Sequence, residues 1–293
     1  MSPVVILMVA HNAHAHTQVC LESIRAQKNV RPVIVDNGSR QKTSDMINEW
    51  TAAVGVKPVI LPMNKGFAGG VNAGLYSLGD DLKDDTLICI LHNDCFLLFE
   101  ECLSEMVAVL QESDEDTAIV MPRTSYDYSH TFCVPDLRKR FEAVKPPNKD
   151  PIAAPDIVKM IDLLIPDRTA FLDNLAQQAP LRSTFSPEIA SYCMLTWGLM
   201  FKRHGFFDES FWPRYWEDKY WFQSGPERDG YVCAIANRAF AFHTGAATAD
   251  SRGFDSPSLF AMNQRRFEEK CLERDRKTGE TMKAEHHPIP TGS

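Results

Sequence analysis

Short apolar runs rich in β-branched residues alternate with stretches of helical spacing through the first 121 residues. The runs Val4–Ala10, Arg31–Asp36, Val56–Leu61, Thr86–Leu91 and Ala118–Met121 are nearly continuous in apolar character, which predicts strands buried on both faces. Between them, apolar residues recur at helical intervals near Thr17–Gln27, Thr43–Ala53, Val71–Leu78 and Glu100–Gln111. Strand and helix in regular succession predict an α/β fold around a mostly parallel sheet. In such sheets ligands bind beyond the carboxyl ends of the strands.

The pattern changes from Tyr126 to Pro187, where eight of the eighteen prolines fall together with the basic run Arg138-Lys139-Arg140. This segment reads as an insertion. Ile157, Met160, Ile161, Leu164 and Ile165 have helical spacing, Pro166 interrupts it, and Phe171, Leu172 and Leu175 resume it. Two short amphipathic helices packed on the main domain and an acceptor-binding or dimer surface are both compatible with that pattern. Further on, Tyr192–Lys202 predicts a buried strand, Tyr215–Arg228 a helix, and Tyr231–Ala236 and Arg238–His243 two closing strands. The charged stretch Ser256–Lys277 is helical in pattern, and Thr278–Ser293, with His286 and His287, is a polar tail.

Chemistry concentrates where the strands end. His11 and Asn12 follow the first, Asp36 and Asn37 the second, and Asn93 and Asp94 the fourth. After the third comes Asn64-Lys65-Gly66-Phe67-Ala68-Gly69-Gly70-Val71-Asn72-Ala73-Gly74, whose four glycines and two asparagines predict a loop that lets the backbone approach a nucleotide. No G-x-G-x-x-G follows the first strand, which disfavours NAD. Gly69 and Gly74 have Walker spacing, but Leu75 and Tyr76 stand where Lys and Ser or Thr are needed. Asp94, just past a strand, is placed to bridge a hard cation to phosphate oxygens.

Taken in order, Val9-Ala10-His11-Asn12, Val33-Ile34-Val35-Asp36-Asn37-Gly38-Ser39, the Asn64–Gly74 segment, His92-Asn93-Asp94 and Tyr215-Trp216-Glu217-Asp218 resemble family 2 glycosyltransferases of the GT-A fold, particularly the rhamnosyltransferase-like branch. The likeness spans Val4 to His243. It implies a Rossmann-like nucleotide-binding sheet with an acceptor-side extension, and an inverting, metal-dependent transfer from a UDP- or dTDP-sugar to an acceptor hydroxyl. On that resemblance, His11, Asn12, Asp36, Asn64, Lys65, Gly66, Gly70, Asn72 and Asn93 face the donor, with Asp36 accepting from the N3–H of uracil or thymine. Asp94 and His243 hold a divalent metal, Mn or Mg. Asp218 is the general base, Glu217 orients the acceptor or the base, and Trp212 or Trp216 lies by the acceptor. His92-Asn93-Asp94 departs from the family pattern by carrying one acid where two are common. Residues 1–255 then form one catalytic domain: a nucleotide-sugar half over 1–125, the insertion over 126–187 and an acceptor half over 188–255, with 256–293 as helix and tail.

The bulk properties narrow the setting. With 293 residues, 44% of them hydrophobic, the chain can bury a full core. A net charge of −8 provides no overall basic field for nucleic acid or an anionic membrane. The eight cysteines form no C-x-x-C pair, as expected for buried thiols in a reducing compartment. Lacking a basic leader and any apolar run of about 18 to 20 residues, the chain is expected to be cytoplasmic, with at most a peripheral membrane contact. A lipid-linked glycan, a polysaccharide, a protein and modified DNA all stay open as acceptors, and the oligomeric state is open as well. The rival readings are a nucleotidyltransferase and a non-catalytic nucleotide-sugar-binding protein.

Overall fold

The computed structural model describes residues 2–114, 116–127, 131–144, 153–179, 181–245 and 256–278. The polar tail beyond the last helix, His286 and His287 included, lies outside them. The strands are β1 (Val4–Ala10), β2 (Val30–Asn37), β3 (Val59–Leu61), β4 (Leu87–His92), β5 (Cys95–Phe96), β6 (Thr117–Thr124), β7 (Ser183–Ser186), β8 (Cys193–Trp197) and β9 (Val232–His243). They make one sheet in the order β3-β2-β1-β4-β8-β6-β9-β5, with β7 paired to β9. Strands β1, β2, β3, β4, β6 and β9 share one direction, and β5, β7 and β8 oppose it. All seven residues of β1 are buried, because the strand lies between parallel neighbours with helices over both faces.

The helices are α1 (His14–Arg25), α2 (Gln41–Ala53), α3 (Gly66–Leu78), α4 (Glu101–Glu112), α5 (Pro135–Val144), α6 (Ala154–Leu164), α7 (Arg168–Gln178), α8 (Gly198–His204), α9 (Glu217–Ser224) and α10 (Ser256–Thr278). Helix α3 packs on β1 and β2, and α4 on β6 and β9.

Several boundaries differ from the sequence expectation, each for a local reason. Only Val59–Leu61 of the third apolar run pairs with the sheet, since Pro58 has no N–H to give to a ladder. The run Tyr192–Lys202 is a strand only to Trp197 and then turns into α8, whose last turn carries Lys202, Arg203 and His204, cations that suit a helix C-terminus. The two closing strands are one, β9, in which the pairing register with β6 shifts between Pro122 and Arg123. There Asn237 accepts from the Arg123 Nη2 at 2.6 Å and donates to the Leu181 carbonyl at 3.2 Å. Helix α9 is shorter than expected because Tyr215 and Trp216 have φ of 78° and 75°, outside the right-handed helical region.

Between residues 126 and 187, the two expected amphipathic helices are α6 and α7, and both pack on elements outside that segment. Helix α6 lies on α1, while α7 places Phe171 against Phe240 of β9 at 4.8 Å. The basic run forms α5, a helix the apolar spacing alone did not reveal. Arg138 is 12% exposed, lies 4.8 Å from the Tyr126 ring and donates to the Asp127 carbonyl. Arg140 donates to the Leu164 carbonyl at 2.7 Å, at the C-terminus of α6. Two of the three basic side chains therefore hold the fold together.

Candidate active site

Strand β4 is buried until His92. The chain then turns through Asn93 and Asp94 and enters β5, which pairs antiparallel with the end of β9 so that Cys95 faces His243. The Thr244 N–H donates to the Asp94 carbonyl at 3.0 Å. This register sets the Asp94 Oδ1 3.5 Å from the His243 Nε2 and 3.9 Å from the His92 Nδ1. One ligand atom from each of the three side chains lies within 4.8 Å of the others, the one such group of His, Cys, Asp or Glu among the described residues.

The donor set fits a divalent cation. The His243 Nδ1 lies 2.8 Å from the Tyr126 carbonyl, so Nδ1 carries the proton and donates it. The Nε2 lone pair is thereby turned toward Asp94, the usual second contact of a metal-binding histidine. The His243 Nε2 that faces Asp94 is buried without a hydrogen-bond partner, a costly arrangement unless something else occupies the site. Burial works to raise the Asp94 pKa, but the electrostatic pull of His243, and after it of His92, holds it well below the usual carboxylate range. His92 is pushed down to about 3, chiefly by burial, so its ring is neutral and available as a ligand. For His243, burial opposes protonation while the Asp94 charge favours it, and the net direction is upward.

The sequence points to Asp94 and His243 as candidate metal ligands, and the structure brings His92 together with them, a residue absent from that expectation. The signal was present in the motif, since His92 stands where a second acid is common in the resembled family. Phe67 at the start of α3 packs edge-on to His92, with ring centroids 4.5 Å apart.

The residues expected to face a donor form a tight polar lattice at the strand ends. His11 Nδ1 lies 2.7 Å from the Asn37 carbonyl, and Asn12 Nδ2 lies 2.8 Å from His11 Nε2. Asn12 has φ of 54°, and its Oδ1 accepts from the Arg40 N–H at 2.8 Å. Asp36 is buried and accepts from the Ser39 N–H at 2.9 Å. Asn37, absent from the expected site residues, is the hub: it accepts from the Lys65 N–H at 2.8 Å and donates to the Gly66 carbonyl at 2.8 Å and to Asn64 Oδ1 at 3.1 Å. Asn93 donates to Thr17 Oγ1 at 2.8 Å.

The glycine segment is a helix from Gly66 onward instead of a loop. A Cβ on Gly70 would fall 2.4 Å from Val9 Cγ1, so this glycine brings α3 down onto the sheet. Gly66 has φ of +78°, and a Cβ there would lie 2.9 Å from Trp212 Cδ1. Asn72 is buried and joins α3 to the segment before α9, accepting from the Phe207 N–H at 3.0 Å and donating to its carbonyl at 2.8 Å. Gly70 and Asn72 thus serve internal packing in the described contacts.

Asp218 lies in the first turn of α9. Its Oδ2 accepts from the Ser191 N–H at 2.9 Å and its Oδ1 from the Lys219 N–H at 2.8 Å. The next residue, Tyr192, stacks on the His243 ring with centroids 5.1 Å apart, and its carbonyl accepts from the His92 N–H at 2.9 Å. Two consecutive residues thereby connect the carboxylate to the metal-ligand group. Burial raises the Asp218 pKa against the opposing hydrogen bonds of Ser191, which makes the carboxylate a stronger base. Glu217 is 4% exposed and its Oε2 has no hydrogen-bond partner. Burial, and then the neighbouring Asp218, raise its pKa well above the ordinary range.

The two tryptophans separate. Trp212 is 45% exposed beside Gly66, whereas the Trp216 ring packs against Phe260 at 5.1 Å and Phe267 at 4.9 Å on α10. The positive φ values at Tyr215 and Trp216 each cost on the order of 1 kcal/mol. Helix α10, expected from the sequence as a charged helix before the polar tail, braces this segment.

No curated protein matches the chain. Among solved structures, the mannosyltransferase PcManGT of Pyrobaculum calidifontis, in complex with GDP-Man and Mn2+, superposes with a TM-score of 0.54 at 13% identity. The match covers 83% of this chain and 57% of that one. TarS 1-349 of S. aureus, in complex with UDP, gives a TM-score of 0.50 at 11% identity over 82% of this chain and 60% of that one. The chain thus spans less than two thirds of the length of either, and at these identities the likeness is one of fold. A sequence model described as Glycosyl transferase family 2 matches residues 5–158, just over half of the chain. The sheet order, these neighbours and the family match agree: the chain belongs to glycosyl transferase family 2 and has the GT-A fold.

Proposed function

We propose that the chain is an inverting, divalent-metal-dependent glycosyltransferase that moves a hexose or deoxyhexose from a UDP- or dTDP-sugar to an acceptor hydroxyl. The observation that carries this reading is the joining of His92, Asp94 and His243 to Asp218 through Ser191 and Tyr192. His92, Asp94 and His243 would hold a manganese or magnesium ion, which when bound would supply positive charge to the leaving diphosphate. Solved relatives of the fold bound to UDP and to GDP-Man with Mn2+ support a nucleotide-sugar donor and a metal.

In this reading the Asp218 carboxylate accepts the acceptor's hydroxyl proton as the acceptor oxygen bonds to the anomeric carbon and the bond to the diphosphate breaks. The Ser191 and Lys219 N–H groups hold the carboxylate in position. A single displacement with one base inverts the anomeric centre. His11, Asn12, Asp36 and the Asn64–Gly66 turn, ordered by Asn37, line the donor side, and exposed Trp212 offers an apolar face to a sugar. Asp36 is the proposed partner of the pyrimidine N3–H. The enzyme works in the cytoplasm, with contact to a membrane at most peripheral. No helix among the described residues is long and apolar enough to cross a membrane.

Screening nucleotide-sugars by thermal shift and by release of nucleoside diphosphate, with and without manganese, tests this function. Manganese-dependent stabilisation and turnover by a pyrimidine nucleotide-sugar are expected. Binding without turnover would favour a nucleotide-sugar-binding protein, and metal-independent turnover would overturn the role of the His-Asp-His group.

A further inference from the structure

Helix α10 grips the segment that leads into Glu217 and Asp218. Asn263 is 0% exposed, and its Nδ2 donates to two carbonyls of that segment, Phe211 at 3.0 Å and Arg214 at 2.7 Å. Its Oδ1 accepts from the Arg266 Nη1 at 2.9 Å, and Arg266 also donates to the Ser210 carbonyl. Both N–H groups of the amide and its oxygen are therefore engaged. Few side chains carry two donors and an acceptor on one planar group. Lys270 adds an ion pair to Asp208 at 2.8 Å.

The gripped segment is strained and centrally placed. Tyr215 and Trp216 both have positive φ, so the chain would relax if its neighbours did not fix it. On its other side the Phe67 N–H donates to the Pro213 carbonyl at 2.9 Å, so the segment runs between the start of α3 and α10. We propose that Asn263 is a positioning residue for the transfer step: by holding the Phe211 and Arg214 carbonyls it fixes where α9 starts, and so where Asp218 stands against Ser191. The proposal rests on Asp218 being the base.

The test compares wild type with Asn263→Asp, which keeps the shape and the oxygen for Arg266 but removes both donated hydrogen bonds. The probes are UDP with manganese for binding, and the nucleotide-sugar that wild type turns over for kinetics. The expected result is a fall in kcat of at least tenfold, with donor KM and UDP affinity within twofold of wild type and cooperative unfolding retained. A kcat within twofold of wild type would overturn the positioning role alone. A loss of UDP affinity as large as the loss of kcat would also overturn it, since the segment would then act on the donor. Asn263→Ala, which also removes both donated hydrogen bonds but buries no charge, carries the same test if Asn263→Asp does not fold. If wild type shows no manganese-dependent turnover, the proposed function fails and the positioning role with it.

Discussion

His243 Nε2 faces the Asp94 carboxylate at 3.5 Å, and backbone pairing of Cys95 with His243 enforces the contact. A cation at this point would share the Asp94 carboxylate with a bound diphosphate, so metal and nucleotide should bind together. Replacing Asp94 by Ala is expected to weaken manganese-dependent UDP binding by more than about tenfold, since loss of even an outer contact of a metal site costs about 10- to 100-fold. Titration of UDP with and without manganese measures this. An unchanged metal dependence would remove Asp94 from the ligand set.

Asp218→Asn preserves size while removing the proton acceptor. Transfer should fall by at least about 10²-fold, the lower bound usual for general-base catalysis, with UDP and manganese binding nearly intact because the base acts on the acceptor. If the variant retained more than half of wild-type transfer, the base would have to be sought elsewhere.

The buried Glu217 makes stability depend on pH in a defined direction. Its folded pKa is raised, first by burial and then by Asp218. The unfolded chain releases this proton at lower pH than the folded chain does. The contribution of Glu217 to stability is therefore fully present below the unfolded pKa and is lost as pH rises through the folded one. Above the unfolded value the loss grows by about 1.4 kcal/mol per pH unit until the folded pKa is reached. Glu217→Gln removes this ionisation, so its melting temperature relative to wild type should increase from pH 4 to pH 8. A gap independent of pH would show that Glu217 has the same pKa in the folded and unfolded chain.

Gly70→Ala tests the packing reading of the glycine segment. The new methyl would meet Val9 Cγ1 at 2.4 Å, and overpacking of this kind costs about 1–3 kcal/mol. Urea denaturation should show that loss without any nucleotide present. Full stability with loss of UDP binding would return Gly70 to the donor site.

Much of the fold was legible in the chain because its signals are local. Continuous apolar runs such as Val4–Ala10 and Leu87–Leu91 need burial on both faces, and that need marks a covered parallel sheet with His11, Asp36 and Asp94 at its strand ends. The order of the motifs added the family. Register and long-range hydrogen bonding decided the rest, and neither leaves a periodic trace. His92 joins Asp94 and His243 only because β5 pairs with β9. The glycines after Lys65 read as a loop because glycine propensity is local, yet contact with Val9 makes them the face of a helix. Arg138 belongs to a basic run in the sequence, and only the fold sets it against the Tyr126 ring and the Asp127 carbonyl. Asn263 sits in a charged helix with no neighbouring motif, and only the packing of α10 on Phe211 and Arg214 reveals what its amide holds. The sequence by itself determined which segments must be buried and where polar chemistry meets the strand ends; tertiary structure alone decided which of those groups meet, because their partners lie far apart along the chain.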